Sequence, residues 1–304
     1  MSLGGVTVTG ATGLIGPRLV RRLQEQGAQL TVLSREPERV RSCLDGVEAV
    51  RWDPLAEAAP AQALSGRDAV VHMAGEPVAQ RWSGHVRRAI RDSRVLGTGN
   101  LVQGLRACRA PPPVLLSSSA AGYYGARNEE PLDEDASPGR DFLAGVCVEW
   151  ERAAASAGGL GIRVCMLRTG VVLDAAGGAL AKMLPPFRLG IGGPVASGRQ
   201  FISWIHLEDL VAVALAALGD ERWSGPINGT APAPVTNREF SKALGRVLHR
   251  PAALPVPSLA LRVLYGEMAQ IVTTGARIVP AKALVLGYEF LHPELEEALR
   301  SALA

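Results

Sequence analysis

The sequence predicts an α/β protein with a doubly wound parallel sheet and a smaller C-terminal α+β domain. Short apolar runs alternate with amphipathic helical stretches over the first two-thirds of the 304 residues, which is typical of a parallel sheet with helices on both faces. A Gly-rich turn joins the first run to the first helix. After about residue 175, Gly and Pro pairs divide the chain into shorter elements, which indicates a second, smaller unit.

The predicted elements follow one another in strand–helix order. Strands are expected at 5–9, 29–33, 48–52, 68–73, 113–117 and 162–168, and helices at 17–26, 58–65, 83–109, 139–157, 207–219, 236–249 and 258–270. The division that follows puts residues 1–172 and 203–229 in the sheet domain. Residues 173–202 and 230–304 form the smaller domain, and a cleft between the two is the expected substrate site.

Composition excludes several classes of protein. No apolar run approaches the ~20 residues of a membrane span, and no leader pattern precedes the first strand, so we expect a cytoplasmic protein without membrane contact. The net charge of +3 is dispersed, which gives no case for nucleic-acid binding. The four cysteines have no CxxC spacing and no grouping with the five histidines, so a reducing compartment and no metal are expected.

The Gly-rich turn at residues 9–16 reads Thr-Gly-Ala-Thr-Gly-Leu-Ile-Gly. Spaced glycines alone are weak evidence, because many loops need a positive φ. Between a strand and a helix N-terminus, however, such a turn points backbone N–H groups at an anion. We expect Gly10 to make the tight turn, Gly13 to let the backbone approach a pyrophosphate, and Gly16 to pack helix against strand, with Thr12, Leu14 and Ile15 completing a dinucleotide site.

The end of the second strand indicates which dinucleotide is bound. An NAD-selective site would place Asp or Glu there to hydrogen-bond the ribose 2′-hydroxyl, whereas this chain has Ser34 and Arg35. A guanidinium suits a phosphate, so the pair predicts NADP(H). The alternative is a solvated surface Arg35.

Four segments, at 9–16, 72–75, 114–120 and 199–210, resemble the extended short-chain dehydrogenase/reductase superfamily of NAD(P)-dependent sugar epimerases and dehydratases. Further segments at 122–125, 147–151, 184–190, 204–206 and 228–240 are similar to its "epimerase family" branch, some members of which are labelled cell-division inhibitors. The resemblance implies a Rossmann fold and a nicotinamide cofactor, and it leaves the substrate open.

The resemblance also carries cofactor contacts onto matching positions. It implies that Asp53 meets the adenine, that Met73, Ala74 and Gly75 run along the ribose and pyrophosphate, and that Arg168 and Val171 line the nicotinamide end. Four further candidates border the same path: Glu76, Arg94, Ser117 and Leu143. Arg94 is a candidate phosphate contact. Glu76 either pairs with Arg81 or Arg94 or is an ordinary loop charge.

The superfamily's proton-transfer residues are incomplete in this chain. Its members use a Ser or Thr and a Tyr-x-x-x-Lys pair on one helical face. Ser119 matches the first, but Leu143 and Cys147 occupy the Tyr and Lys positions, and no Lys precedes residue 182. The usual dyad is therefore absent.

Other side chains are candidates to replace the dyad, each with a structural alternative. Tyr123 and Tyr124 are candidate acids or packing aromatics, and His206 is an acid/base candidate or secures a strand-to-helix corner. Cys147 is a candidate nucleophile or an inert helix residue. The sequence thus predicts an NADP(H)-dependent oxidoreductase or epimerase-like enzyme on a small polar substrate, or else a non-catalytic NADP(H)-binding sensor or scaffold. A homodimer is compatible with either function.

Overall fold

The structure is a computed structural model that describes residues 3–127 and 129–304. Its strands follow in chain order: β1 Gly5–Thr9, β2 Gln29–Ser34, β3 Val47–Arg51, β4 Ala69–His72, β5 Val114–Ala120, β6 Pro131–Leu132, β7 Arg163–Thr169, β8 Val171–Leu173, β9 Phe201–Ile202, β10 Trp204–His206, β11 Gly225–Gly229, β12 Val235–Thr236 and β13 Arg277–Ile278.

The α-helices lie between and after these strands: α1 Gly16–Glu25, α2 Pro37–Cys43, α3 Gly84–Arg106, α4 Phe142–Ala155, α5 Gly178–Arg188, α6 Leu207–Gly219, α7 Asn237–Val247, α8 Ser258–Tyr265, α9 Gln270–Thr273, α10 Ala281–Val285 and α11 Leu295–Leu303. Short 3-10 helices connect some of them, among which Ala121–Tyr124 follows β5. Among the described helices, none combines the length and the apolar character needed to cross a bilayer.

A seven-stranded parallel sheet organises the fold, in the order β11-β7-β5-β4-β1-β2-β3. The chain runs outward from β1 through β2 and β3, and then returns to add β4 on the other side of β1. Thr9 and His72 are register partners at the carboxyl ends of β1 and β4. This reversal of strand order opens a crevice at the ends of the strands, where open α/β sheets bind their ligands.

Both faces of the sheet are buried, which explains why its strands read as nearly continuous apolar runs. Neighbouring residues of β5 face opposite sides: Leu116 packs with Leu19 and Leu23 of α1, whereas Leu115 packs with Leu101 of α3. The predicted doubly wound fold is therefore confirmed. The two cores pack against opposite faces of the sheet and so hold in place the strands whose carboxyl ends form the crevice.

A third core holds the shorter elements of the C-terminal part together. It joins Leu180 of α5, Trp204 of β10, Phe240 of α7 and Leu299 of α11. The later C-terminal segment does not lie wholly in this core, because Ala283 of α10 packs in the first core beneath the sheet. The C-terminal segment thus contributes residues both to the third core and to the first core, and the latter contact joins it to the sheet.

Several elements were not predicted from the sequence, namely the helices α2, α9, α10 and α11 and the short strands β6, β8, β9, β10, β12 and β13. Three further differences concern residues 58–65, β11 and α5. Residues 58–65 form only the short 3-10 helix Ala61–Ala63. Strand β11 was missed, because Gly and Pro are poor strand formers; the sheet accepts Pro226 because β11 is an edge strand. Helix α5 continues through Pro185 and Pro186, which the sequence indicated as a break, because both lie in its last turn.

Candidate functional site

The turn after β1 is built around glycines that the structure requires. Gly10 has φ +71°, and a Cβ there would lie 2.6 Å from the Met73 carbonyl carbon and 2.7 Å from the Ala74 nitrogen. A Cβ at Gly16 would overlap the Ala11 backbone, so α1 packs directly on the turn. At Gly13 the nearest atom to an added Cβ is the Gly10 oxygen at 3.3 Å. Gly10 and Gly16 thus fix the fold of the turn, and exposed Gly13 leaves its outer side open.

Helix α1 begins at this turn without a side-chain cap. Ile15 occupies the N-cap position and Pro17 lies in the first turn, which contains no acidic residue. The leading N–H groups of a helix have no intrahelical acceptor, and they carry the positive end of its dipole. Thr12 and Leu14 flank this opening. The N-terminus of α1 can therefore accept an anion supplied by a ligand.

Thr9 and His72 tie the two sides of the crevice together. The Thr9 hydroxyl lies 2.7 Å from His72 Nδ1 and accepts the backbone N–H groups of Met73 and Ala74 at 3.2 and 3.3 Å. His72 Nε2 lies 3.1 Å from the Thr98 hydroxyl of α3. Burial lowers the pKa of His72 to about 4, so its ring is neutral and structural. Met73, Ala74 and Gly75 are thereby held beside Gly10.

Arg94 lies on the far side of this stretch. A Cβ added at Gly75 would lie 3.3 Å from its Cζ, and the guanidinium is 5.1 Å from the ring centroid of Trp150. Its Nη1 donates to the Glu76 carbonyl at 3.0 Å. Among the described residues no carboxylate pairs with Arg94, and burial lowers its pKa. Arg94 is thus a half-buried cation that lacks an anionic partner.

The pairing expected of Glu76 does not occur among the described residues. Its carboxylate accepts from Gln80 Nε2 at 3.1 Å, while Arg94 contacts only its backbone oxygen. Its backbone N–H donates to the Ser93 hydroxyl at 2.9 Å. Glu76 therefore fixes the path of the loop after β4, and of its two alternatives the structure favours a loop charge over an ion pair with Arg81 or Arg94.

The far end of the crevice, at β2 and β3, contains Arg35. Arg35 is exposed and has no ion-pair partner among residues 3–127 and 129–304. Beside it, the Ser34 hydroxyl accepts the Glu36 N–H at 3.1 Å. After β3, Asp53 Oδ1 accepts the Leu55 N–H at 3.0 Å, which fixes the turn there. Arg35 is consequently free to meet a second anion.

A buried polar network lies behind β5, where the sequence predicted reacting groups. Ser119 donates to Glu151 Oε1 at 2.6 Å. Glu151 also receives two hydrogen bonds from Arg168, at 2.8 and 2.9 Å. Burial acts to lower the pKa of Arg168, but the Glu151 carboxylate acts in the opposite direction, and the net result is that the pKa of Arg168 is raised. The Ser119 hydroxyl therefore donates its proton to a hydrogen bond with Glu151. Ser117 is also buried, and its hydroxyl donates to the Ser118 carbonyl.

The two adjacent tyrosines have different surroundings. Tyr124 is fully buried, and its hydroxyl lies 2.6 Å from Asn228 Oδ1 and accepts from Arg168 Nη1 at 2.9 Å. Burial raises the pKa of Tyr124 to about 12, which favours the packing alternative. Tyr123 is only half-buried, with its ring centroid 3.5 Å from Arg168 Cζ, and its hydroxyl bonds to no described residue. Of the two phenols, that of Tyr123 remains free for other partners.

The positions of the missing dyad are filled by groups that do not transfer protons. Leu143 of α4 packs beside Gly122, where an added Cβ would lie 3.6 Å from the Leu143 Cβ. Cys147 is buried one turn later, and burial raises the pKa of its thiol to about 12. The thiolate needed for a nucleophile is therefore disfavoured, and the inert alternative is favoured for Cys147.

His206 secures the corner between β10 and α6. Its Nδ1 accepts the Glu208 N–H at 3.2 Å, and its ring lies 3.9 Å from that of His292 between centroids. Burial and then His292 lower the pKa of His206. These two histidines and Glu208 are close enough to suggest a metal site. However, the Nδ1 lone pair of neutral His206 already caps α6, and Glu208 pairs with Arg18 at 2.7 Å, so this group is a poor ligand set.

The structure gathers three of the predicted catalytic residues, Ser119, Tyr123 and Tyr124, around Arg168. His206 lies apart from them, at the corner between β10 and α6. Glu151, Glu134 and Asn228 were missed as network members. Glu134 accepts the Asn228 and Lys282 N–H groups at 3.0 and 3.1 Å. Glu151 and Asn228 lie in the matched segments 147–151 and 228–240, whereas Glu134 lies in none of the matched segments. Glu134 lies in an irregular loop, where no spacing rule applies.

Known proteins match nearly the whole chain. Residues 6–227 match the NAD dependent epimerase/dehydratase family, and residues 256–302 match a domain of unknown function, DUF1731. The chloroplastic epimerase family protein SDR39U1 homolog of Arabidopsis thaliana is 41% identical over 300 residues, which cover 98% of this chain and 86% of that protein.

Two solved structures are also similar to this chain over nearly its whole length. The crystal structure of human epimerase family protein SDR39U1 (isoform 2) with NADPH has a TM-score of 0.88 and 34% identity, and the match covers 98% of each chain. A nucleoside-diphosphate sugar epimerase from Corynebacterium glutamicum has a TM-score of 0.77 and 34% identity, covering 98% of this chain and 58% of that one.

Proposed function

The chain belongs to the NAD-dependent epimerase/dehydratase family, and on that premise we propose that it binds NADP(H) and acts as an oxidoreductase or epimerase-like enzyme. Its substrate is then a small polar molecule, either sugar-nucleotide-like or a carbonyl compound. The observation that carries the proposal is the uncapped N-terminus of α1, which opens on the crevice beside Met73 and Ala74. The human relative of 34% identity was crystallised with NADPH.

The residues at the turn fit a diphosphate. The N–H groups of Thr12, Leu14 and Ile15 have no acceptor among the described residues and offer donors, whereas the Gly13 N–H donates to the Gly10 carbonyl at 3.1 Å. Because Gly13 has no Cβ, a ligand can approach the backbone closely there. Arg94 lies across the same stretch, and a cation removed from water without a partner is costly. A bound phosphate would supply the charge that Arg94 lacks. Met73, Ala74 and Gly75 then run between the two, along the adenosine ribose.

The groups at β2 and β3 fit the phosphorylated nucleoside. Arg35 is exposed and unpaired among the described residues, so it can form a bidentate contact with a 2′-phosphate. Ser34 offers its hydroxyl beside Arg35, and we assign to Asp53 a contact with the adenine. At the other end, Leu143 and Val171 would border the nicotinamide.

When bound, NADPH would supply a hydride to a substrate carbon. A proton must then reach the substrate oxygen, and we assign its delivery to Tyr123, since its hydroxyl has no partner among the described residues. Arg168 lies against the Tyr123 ring and is held there by Glu151. Ser119, Tyr124 and His206 support the site through internal hydrogen bonds.

A second function is favoured by one observation. Leu143 and Cys147 fill both positions of the usual Tyr and Lys, and neither group moves protons near neutral pH. A protein that binds NADP(H) without consuming it, as a redox sensor or scaffold, would show this pattern. The two functions share the cofactor site and differ in turnover.

The proposal is tested by measuring the affinity of the purified protein for NADPH and NADH through nicotinamide fluorescence. We expect NADPH to bind at least ~10-fold more tightly, because Arg35 pairs with the 2′-phosphate. Consumption of NADPH with a panel of sugar nucleotides, aldehydes and ketones, abolished by Tyr123→Phe, would support the enzyme. Tight NADPH binding without consumption would support the sensor. No measurable NADPH affinity, or a preference for NADH, would reject both.

A cytoplasmic location and a homodimer complete the proposal. All four cysteines are free thiols, which suits a reducing compartment, although the Arabidopsis relative is named as chloroplastic. Size-exclusion chromatography with light scattering would decide the oligomeric state.

A further inference from the structure

Helix α5 and the 3-10 helix Gly266–Ala269 after α8 each contact an element that borders the crevice, and the two are called the roof below. Gly177 and Gly178 lie against Leu14 of the turn, where an added Cβ would meet the Leu14 methyl carbons at 2.8 and 2.9 Å. The start of α5 therefore rests directly on the turn that receives the diphosphate in the proposed function, on which this inference rests. A dinucleotide in the crevice would lie beneath this helix.

Lys182 makes a second connection, one turn further along α5. Its Nζ donates to the Ala79 carbonyl at 3.0 Å, although the side chain is otherwise exposed. Ala79 belongs to the loop that continues from Gly75 and Glu76. The hydrogen bond thus joins the roof to the opposite wall of the crevice.

A third connection joins the other part of the roof to α3. Glu267, in the short 3-10 helix Gly266–Ala269, forms an ion pair with Arg87 of α3. The Arg87 guanidinium also lies 5.1 Å from the ring centroid of Phe142 and 5.7 Å from that of Trp82. Because these rings orient the guanidinium, Glu267 meets a fixed partner rather than a freely moving one.

We propose that Lys182 and Glu267 are two latches that hold this roof closed over the bound dinucleotide. NADPH enters and leaves only when both contacts open. Neither side chain needs to touch the ligand. Each contact is solvent-exposed and polar, so each is weak enough to open repeatedly. The latches therefore set the rates of exchange more than the affinity.

Stopped-flow NADPH fluorescence on the full-length protein tests this, with Lys182→Met, Glu267→Gln and the double variant. We expect each single change to raise both the association and the dissociation rate by ~3-fold, and the double change to raise both by ~10-fold. The dissociation constant then moves little. Exposed Lys242→Met and Glu297→Gln serve as matched controls and should leave both rates unchanged.

Two results would overturn the latches while leaving the proposed function intact. One is NADPH binding by the double variant with wild-type rates. The other is faster dissociation at an unchanged association rate, which would make Lys182 or Glu267 a direct ligand contact. Absence of NADPH binding by the wild-type protein would instead reject the proposed function itself, and the latches with it.

Discussion

Glu151 and Arg168 form a bidentate ion pair in the interior, with side chains 10% and 3% exposed. The pair joins α4 to β7 and, through Ser119, to β5. Its arrangement satisfies both carboxylate oxygens, as a buried charge requires. Glu151, which entered the sequence comparison only as the last residue of the segment 147–151, is thus central to the polar interior behind the sheet.

Removing one partner of this pair should destabilise the fold strongly. Arg168→Met leaves the Glu151 charge buried without a counterion, and we expect a loss of ~3–5 kcal/mol in the free energy of unfolding. The double change Glu151→Leu with Arg168→Met should cost less than Arg168→Met alone. Urea denaturation measures these values. Equal losses in the single and double variants would contradict the explanation, and exposed Arg246→Met serves as a control.

A comparison of Gly10→Ala with Gly27→Ala should separate the cost of a positive φ from the loss of the cofactor site. Gly10→Ala must tolerate a φ of +71° and a methyl 2.6 Å from the Met73 carbonyl carbon. Gly27→Ala faces a φ of +86° with no atom within 4 Å. The conformational cost alone is ~1–2 kcal/mol. We expect this loss at Gly27 with NADPH affinity intact, and a larger loss together with abolished NADPH binding at Gly10, measured by denaturation and fluorescence titration.

Arg35 should decide cofactor selectivity. Arg35→Ala removes the group proposed to meet the 2′-phosphate, so NADPH affinity should fall ~10- to 100-fold while NADH affinity stays unchanged. Arg21→Ala, an exposed change on α1, controls for loss of positive charge. A similar fall for both nucleotides, or for the control, would remove Arg35 from the site.

Buried His72 should make the protein less stable in mild acid. Its pKa of about 4 in the fold lies below the ordinary 6.5, so the unfolded chain takes up the proton first. The contribution of neutral His72 to the free energy of unfolding is complete above pH 6.5. It is lost as the pH falls toward 4, by ~3 kcal/mol in total. His72→Gln should therefore flatten the fall in unfolding free energy between pH 7 and 5. Identical pH dependence in the variant and the wild type would refute this.

Loss of the hydroxyl should lower the stability of the protein at Tyr124 but not at Tyr123. Tyr124→Phe leaves Asn228 Oδ1 and one Arg168 N–H without their partner, which should cost ~1–3 kcal/mol of stability. Tyr123→Phe should leave stability unchanged, because its hydroxyl bonds to no described residue. Thermal unfolding of both variants checks this. A larger loss from Tyr123→Phe than from Tyr124→Phe would reverse the assignment.

Local sequence patterns were sufficient to predict most of the strands and the helix that form the crevice. Strands β1, β2 and β4 and helix α1 end close to their predicted bounds, because apolar periodicity reflects burial on each element. The edge strand β11 escaped detection, since its pairing with β7 outweighs its own poor strand propensity. The Leu14 contact with Gly177 and Gly178 likewise had no local signal.

The catalytic expectations depended on side-chain direction, which motifs do not specify. Ser119 and Tyr124 stand in the predicted segments, yet the structure buries both in internal hydrogen bonds. Neighbouring positions on a strand or a short helix differ in which side they face. Tyr123 and Tyr124 illustrate the difference within a single dipeptide.

The sequence by itself determined six of the seven sheet strands in their chain order and the glycines at the turn after β1, because periodicity and a positive φ act within a few residues. Only the tertiary structure decided which polar groups pair in the interior, as for Glu151 with Arg168. It also decided that, among the described residues, the Tyr123 hydroxyl has no hydrogen-bond partner and Arg94 has no anionic partner. The physical reason is that burial and charge pairing depend on partners distant in the chain, and only packing brings them within hydrogen-bond distance.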